Sequence, residues 1–353
     1  MKDQLHNLIE PPALVRHFLQ HPPAGFSASN IGGVPAFVSE FNLLTTMAPA
    51  DRRRLEKLPF YGWWQKFLTP RTLFVGTTVS EYGLLSKESS ADDLLADLSK
   101  VSSDHTFIIV KDLPVEPLLV GESAHSHTQA FIAAAQRSGF LILEGQALAY
   151  VPIDFASIDE FLARMPKSRR KDIRRKTKNS QGLEIEKIDA GNARFTDENL
   201  LAEYYGLYRQ VYDQSEIHFD LLSPDFFRAV LQDESCGGIV FTYRVDGKLI
   251  GYNLCFVQND MLIDKYVGFS YPASREHNLY FVSWLVNLQY ALEQRLRYYV
   301  AGWTDPEIKR HLGASFTYTC HAVLIRNGFL RQILRPFKRL FEADSSWHEA
   351  ARP

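Results

Sequence analysis

Apolar and polar residues change their spacing several times along the chain. Over Pro11–His21 the apolar residues Leu14, Phe18 and Leu19 fall on one helical face. Gly33–Leu44 alternates loosely, as a strand does. Asp51–Leu68 is polar and then aromatic, with Trp63 and Trp64 adjacent. Arg71–Val79 reads as a strand, Ala91–Leu98 as a helix, and the unbroken apolar run His105–Val110 as a buried strand. His127–Arg137 is a helix that stops at Ser138-Gly139, and Leu141–Ile153 returns as a strand. Helices and strands in alternation predict a mixed α/β fold.

The second half repeats the alternation. Ser157–Met165 is a predicted helix, with Ser157 and Glu160 spaced as a capping box. The helix Lys167–Lys178 follows and ends at Asn179-Ser180-Gln181-Gly182. Leu183–Ile188 alternates as a strand, Thr196–Tyr212 is a long helix, and Ser223-Pro224-Asp225 opens another. Gly238–Val245 turns at Asp246-Gly247 into Leu249–Val257, a hairpin signal, and Asn259-Asp260 leads into Met261–Phe269. These three strands should form an antiparallel meander. After the apolar helix Asn278–Arg295, the strand Arg297–Ala301 should lie parallel to the third of them. Pro306–His311 reads as a short helix and Phe316–Arg326 as a strand. Phe329–Phe341 sets Leu330, Ile333, Leu334, Phe337 and Phe341 on one face and Arg331, Arg335, Lys338 and Arg339 on the rest. Such a helix docks on its own domain or lies on a membrane surface. The expected division is 1–151, 152–328 and a tail over 329–353.

Composition narrows the function classes. The 353 residues carry a formal charge of −2 and are 46% apolar, enough for a sizeable core. Near-neutral charge argues against bulk coating of nucleic acid. Cys236, Cys255 and Cys320 have neither metal nor disulfide spacing and read as buried thiols in a reducing compartment. The N-terminal residues lack a signal-peptide core, and no apolar run reaches the ~18 residues of a membrane span. A cytoplasmic location is therefore expected.

Against that neutral background one stretch stands out. Lys167–Lys178 holds eight cations in twelve residues, with Asp172 as its one acid. Lys167, Lys171, Arg174 and Lys178 share a helical stripe. An anionic ligand would relieve their repulsion, although a solvated surface helix has the same composition. Elsewhere, Asp264 and Lys265 interrupt an apolar strand, where an ionised side chain needs a partner. Glu216, His218 and Asp220 alternate, and His218 titrates in the range a general base needs. Arg275, His277 and Asn278 precede or open the long helix, where free N–H groups favour an anion. His125 and His127 have no third ligand within reach in sequence, so no metal is expected. No nucleophile elbow or P-loop is present.

The segment SRRKDIRRKTKNSQGLEIEKID resembles the Ser-x-x-x-Arg-x-x-Ile-Arg-Arg-x-x-Lys segment of FemAB-like proteins and of the GNAT acyltransferases described as peptidoglycan-biosynthesis proteins. The later block DKYVGFSYPASREHNLYFVSWLVNLQYALEQRLRYYVAGWTDPEIKRHLGA is similar to that group's closing block through Tyr266, Gly302, Lys309 and Gly313. The resemblance covers 152–326 and implies an α/β (α+β) protein of tandem GNAT-like units, each a mixed, mostly antiparallel sheet flanked by helices. It implies an N-acyltransferase that moves an acyl group from acyl-CoA or an acyl-carrier protein to a small-molecule amine. An aminoacyl-tRNA-dependent transferase and a non-catalytic anion-binding module remain as alternatives. His218, Asp220, Asp264 and Lys309 are the candidate catalytic residues, Lys309 by its place in the closing block. Lys171, Arg174, Lys178, Tyr266, Arg275, His277 and Asn278 are the candidate binding residues. One departure matters. The stretch Ser270–Asn278 has no glycine, whereas the usual GNAT loop cradles the CoA pyrophosphate with backbone N–H groups.

Overall fold

A computed structural model describes residues 4–42, 53, 57, 59, 61–64, 68–178, 182–215 and 218–328. The tail 329–353, with its amphipathic pattern, and Glu216 lie outside the described residues. The chain forms two compact units, one of residues 1–147, 217–222 and 317–353, the other of 148–216 and 223–316.

In chain order the first unit contains β1 (Leu5–His6), α1 (Pro12–Gln20), β2 (Ser27–Ile31), β3 (Val34–Glu40), β4 (Arg71–Val75) and β5 (Leu85–Ser86). It continues with α2 (Ala91–Val101), β6 (Phe107–Pro114), α3 (Glu122–Arg137) and the start of β7 (Leu141–Pro152). The second unit takes the end of β7, then α4 (Ile158–Ala163), α5 (Lys167–Lys178), β8 (Glu184–Asp189), α6 (Glu198–Gln214) and α7 (Pro224–Gln232). It closes with β9 (Gly238–Val245), β10 (Lys248–Gln258), β11 (Met261–Phe269), α8 (Leu279–Glu293), β12 (Tyr298–Gly302) and α9 (Pro306–His311). The last strand, β13 (Ser315–Ile325), counts almost wholly with the first unit. Sequence reading misses β2 because Ser-Ala-Ser-Asn-Ile carries little apolar signal and lies half-exposed.

Both units follow one plan, that of a GNAT fold. In the second, β9, β10 and β11 form the expected antiparallel meander, and β12 runs parallel to β11 through Met261↔Tyr298 to Ile263↔Val300. In the first, β2, β3 and β4 are antiparallel and β6 runs parallel to β4 through Thr72↔Phe107 to Val75↔Val110. Helix α8 makes the crossover in the second unit and α2 in the first, as parallel pairing demands. Just beyond each parallel stretch the backbone turns left-handed, at Gly302 (φ 78°) and at Asp112 (φ 56°). Each of these residues sits in an irregularity of the neighbouring antiparallel pairing, β12 with β7 and β6 with β13.

Each unit has its own apolar core. Leu262, Leu279, Trp284, Leu288 and Tyr299 pack between the second sheet and α8. Val34, Leu73, Val110, Phe131 and Ala135 fill the first. Caps define several helix starts. Ser90 and Asp93 complete a capping box at α2, and the Ser223 side chain accepts from Phe226 N at α7. At α4 only half of the expected box forms. Ser157 accepts from Glu160 N, but the Glu160 carboxylate accepts from Ala156 N, one residue earlier.

Candidate active site at the parting of two strands

In the second unit β11 and β12 pair for three residues and then part. On β11 the pairs Cys255↔Asp264 and Leu254↔Tyr266 leave Lys265 as an extra residue, a β-bulge where the strands diverge. On β12 the chain reaches Gly302, where an added Cβ would lie 3.9 Å from both the Asp264 carbonyl oxygen and Lys309 Nζ. The Lys309 ammonium therefore faces the parting from α9, and the residue is only 4% exposed. Gly313 fixes the far end of this segment. It is left-handed (φ 91°), and a Cβ there would meet Met165 Cε at 2.5 Å and Phe161 Cζ at 2.8 Å. That packing gives the Lys-x-x-x-Gly spacing its physical reason.

Asp264 lies beneath α8 in a dense set of donors. Asn253 Nδ2 donates to its two oxygens at 3.1 and 2.9 Å. Asn287 Nδ2 donates at 2.9 Å, the Tyr299 hydroxyl at 3.0 Å and the Cys255 thiol at 3.6 Å. Burial pushes the Asp264 carboxyl above its ordinary range, while the donors and the Lys309 charge pull it down. Burial also raises the Cys255 thiol and the Tyr299 phenol, so both stay neutral. A carboxylate with this many donors is held in place. Asn253, Asn287 and Tyr299 escape sequence reading, although a signal exists. Asn253 is the one amide in the apolar run Leu249–Val257, and Asn287 sits in a largely apolar helix.

The cationic helix α5 braces the element that carries Lys309. Its Asp172 meets His311 Nε2 at 3.2 Å, and Arg169 Nη1 donates to the Arg310 carbonyl at 3.2 Å. Hydrogen bonds from Arg175 and then Lys176 draw the Asp172 carboxyl down to about 2. Lys176 also lies 4.0 Å above the Phe281 ring on α8. Ile173 is the buried anchor. Of the candidate binding residues, Lys171 and Lys178 are exposed, and Arg174 pairs with Asp159 of α4 at 2.7 Å.

The stretch 270–278 contains a cis Tyr271–Pro272 bond and the single helical turn Ala273–Glu276. Its own carbonyls take its backbone donors. Ser274 N donates to Ser270 O, Arg275 N and Glu276 N to Pro272 O, His277 N to Ala273 O, and Asn278 N to Arg275 O. Arg275 lies over the Tyr271 ring and donates to Gln214 Oε1 at 2.7 Å. His277 and Asn278 are half-buried, and Asn278 starts α8 in a left-handed conformation (φ 49°) without a side-chain cap.

Tyr266 is 9% exposed and faces α7, with its ring 5.5 Å from Phe227. His218 is exposed and Asp220 half-buried on a loop that counts with the first unit. That loop is not a strand. Phe219 anchors it among Phe26, Phe37, Phe41 and Phe74. His127 stacks against His6 at 4.4 Å. Among the described residues no group of three His, Cys, Asp or Glu side chains is placed to hold a metal.

The FemAB-like family model, described as peptidoglycan biosynthesis/recognition, matches residues 121–346. The chain belongs to the FemAB-like family. The fold of this FemAB-like chain is similar to that of L-PGS from Bacillus licheniformis, with TM-score 0.56 and 10% identity over 95% of this chain and 98% of that one. It is similar also to the C-terminal domain of a protein named as a lysylphosphatidylglycerol synthetase from Agrobacterium fabrum, with TM-score 0.53 and 13% identity over 90% and 87% of the chains. FemX matches with TM-score 0.48 and 13% identity over 92% and 98%. No curated protein matches the sequence. The first two likenesses establish the fold alone. Among the described residues no helix is long and apolar enough to cross a membrane.

Proposed function

We propose that this FemAB-like chain is an amide-forming transferase that moves an aminoacyl group from charged tRNA to an amine acceptor at the parting of β11 and β12. The observation that carries this reading is the buried Lys309 ammonium beside Gly302. Acyl transfer to an amine passes through a tetrahedral oxyanion. A fixed positive charge in a site shielded from water stabilises it far better than one in solvent. Beyond Ile263 and Val300 the two strands no longer pair with each other, and the space between them can hold the two reactants together. The amine attacks the ester carbonyl, the C–N bond forms, and the tRNA hydroxyl leaves with the proton that the amine gives up.

The choice of donor rests on residues 270–278. A CoA pyrophosphate needs free N–H groups at a helix start. Here five consecutive N–H groups are spent on the loop's own carbonyls, and Arg275 is engaged by Gln214 and Tyr271. These bonds favour a donor other than CoA. A polyanionic tRNA instead finds cations at Lys171 and Lys178 on the exposed face of α5. The test supplies pooled labelled aminoacyl-tRNA, or labelled acyl-CoA, with a panel of amines and follows label into base-stable amide. Amide formed from charged tRNA supports the reading. Amide formed only from acyl-CoA replaces the donor, and no amide from either leaves the anion-binding module as the better account.

A further inference from the structure

Asp264 and Lys309 meet at Gly302, where an added Cβ would lie 3.9 Å from the Asp264 carbonyl oxygen and from Lys309 Nζ, and desolvation disfavours the charge of the half-buried carboxyl and of the buried amine alike. The titratable groups that interact with the Asp264 charge are Tyr243 from β9, Cys255 from β10, Tyr280 from α8, Tyr299 from β12 and Lys309 from α9. Burial raises the three phenols and the thiol, so each is neutral at physiological pH. Tyr280 also feels Asp305. What keeps a carboxylate ionised in these surroundings is its donor set. Oδ2 receives Asn253, Asn287 and Tyr299 at 2.9 to 3.0 Å. A proton on that oxygen would point at groups that can only lose by the change, because both amide nitrogens donate and never accept. Tyr299 is itself oriented, since its hydroxyl accepts from Asn287 Nδ2 at 3.2 Å while donating to Asp264. Asn253 turns its nitrogen to both carboxylate oxygens and leaves its own Oδ1 buried without a partner among the described residues. That is a cost, accepted in favour of the carboxylate.

We propose that Asn253, Asn287 and Tyr299 are positioning residues that keep Asp264 ionised as a counter-charge, so that the buried Lys309 stays protonated where the oxyanion forms. The proposal rests on the reading of Lys309 given above. Its geometry spans β10, α8 and β12, so the meander, its covering helix and the diverging strand jointly set one charge. Losing a single donor weakens Asp264 as an anion, and losing the anion itself weakens the protonated Lys309 through charge alone.

The test is a pH titration of the full chain by NMR, with 13C at aspartate Cγ and lysine Cε. The Asp264 and Lys309 resonances are assigned by their loss in Asp264→Asn and Lys309→Met. Tyr299→Phe removes one hydroxyl and keeps the ring that packs on Trp284. The Asp264 midpoint should then rise by about one pH unit, and in Asp264→Asn, which removes the counter-charge, the Lys309 midpoint should fall. Asn287→Leu should raise the Asp264 midpoint further, and Tyr299→Phe serves alone if that variant does not fold. In turnover, Tyr299→Phe should lower kcat about tenfold and leave KM near wild type. An Asp264 midpoint that stays put in Tyr299→Phe overturns the proposal, as does a Lys309 midpoint unmoved in Asp264→Asn. If the wild type transfers no aminoacyl group, the functional reading fails while the two titrations still decide the coupling.

Discussion

At the scale of single residues, Lys309 and Arg174 show how burial separates a working charge from a surface one. Lys309 is almost fully buried, and its replacement by Met should cut kcat by about 10²–10³, the range seen when one oxyanion-stabilising donor is lost. Steady-state kinetics beside a melting curve checks this, and an unchanged kcat would remove Lys309 from the chemistry. Arg174 bonds an exposed Asp159, so Arg174→Ala should cost at most about 1 kcal/mol of stability. Its cationic neighbours Lys171 and Lys178 are the better probes of polyanion binding. Replacing both by Ala should weaken tRNA binding and flatten its dependence on salt, as measured by filter binding at two ionic strengths. Equal affinity at both salts in wild type and variant would show that α5 does not touch the donor. The sequence makes the charges of α5 plain and hides their division of labour. Arg175 and Lys176 meet Asp172 at the local i,i+3 and i,i+4 spacings, but the pairing of Arg174 with Asp159 depends on how α4 packs, and no local pattern encodes that.

At the scale of elements, the meander, the crossover helix and the parallel strand are legible because each obeys a short-range rule. Asp246-Gly247 and Asn259-Asp260 are turn pairs, and Met261–Phe269 is apolar enough to be a central strand. The carboxylate network was half legible. Asp264 stands out as a charge in an apolar strand, but its partners come from β10, α8 and β12, up to 35 residues away. The reason for glycine at Gly313 lies in Phe161 and Met165, about 150 residues earlier in the chain. Gly313→Ala should therefore destabilise the second unit by about 1–3 kcal/mol, from left-handed strain together with overpacking. Urea unfolding checks the value, and a neutral effect would mean that α9 and α4 separate easily. Ala at Gly302 would make only ordinary contacts, at 3.9 Å, so there the expected cost is conformational strain alone.

At the scale of the whole molecule, the tandem plan places its titratable histidines unevenly. Burial lowers His6, His105, His127 and His321, and all four belong to the first unit. A histidine whose folded value is depressed binds fewer protons folded than unfolded. Its contribution is present above about pH 6.5 and is lost as pH falls through the lowered folded values. Melting temperature should thus drop between pH 7.5 and pH 5.5, and His127→Gln should lessen the drop. A rise in melting temperature on acidification would contradict this sign. The repeat itself was only partly legible, because the first unit draws β13 from the far end of the chain and β2 carries a weak apolar pattern. The account as a whole turns on whether aminoacyl transfer occurs at Lys309. The direct measurement is a single-turnover assay with labelled charged tRNA and the responsive amine, comparing wild type with Lys309→Met at equal donor occupancy. The account predicts base-stable amide from the wild type and a rate about 10²–10³ lower in the variant. Equal rates in the two proteins, or transfer from acyl-CoA alone, would contradict it.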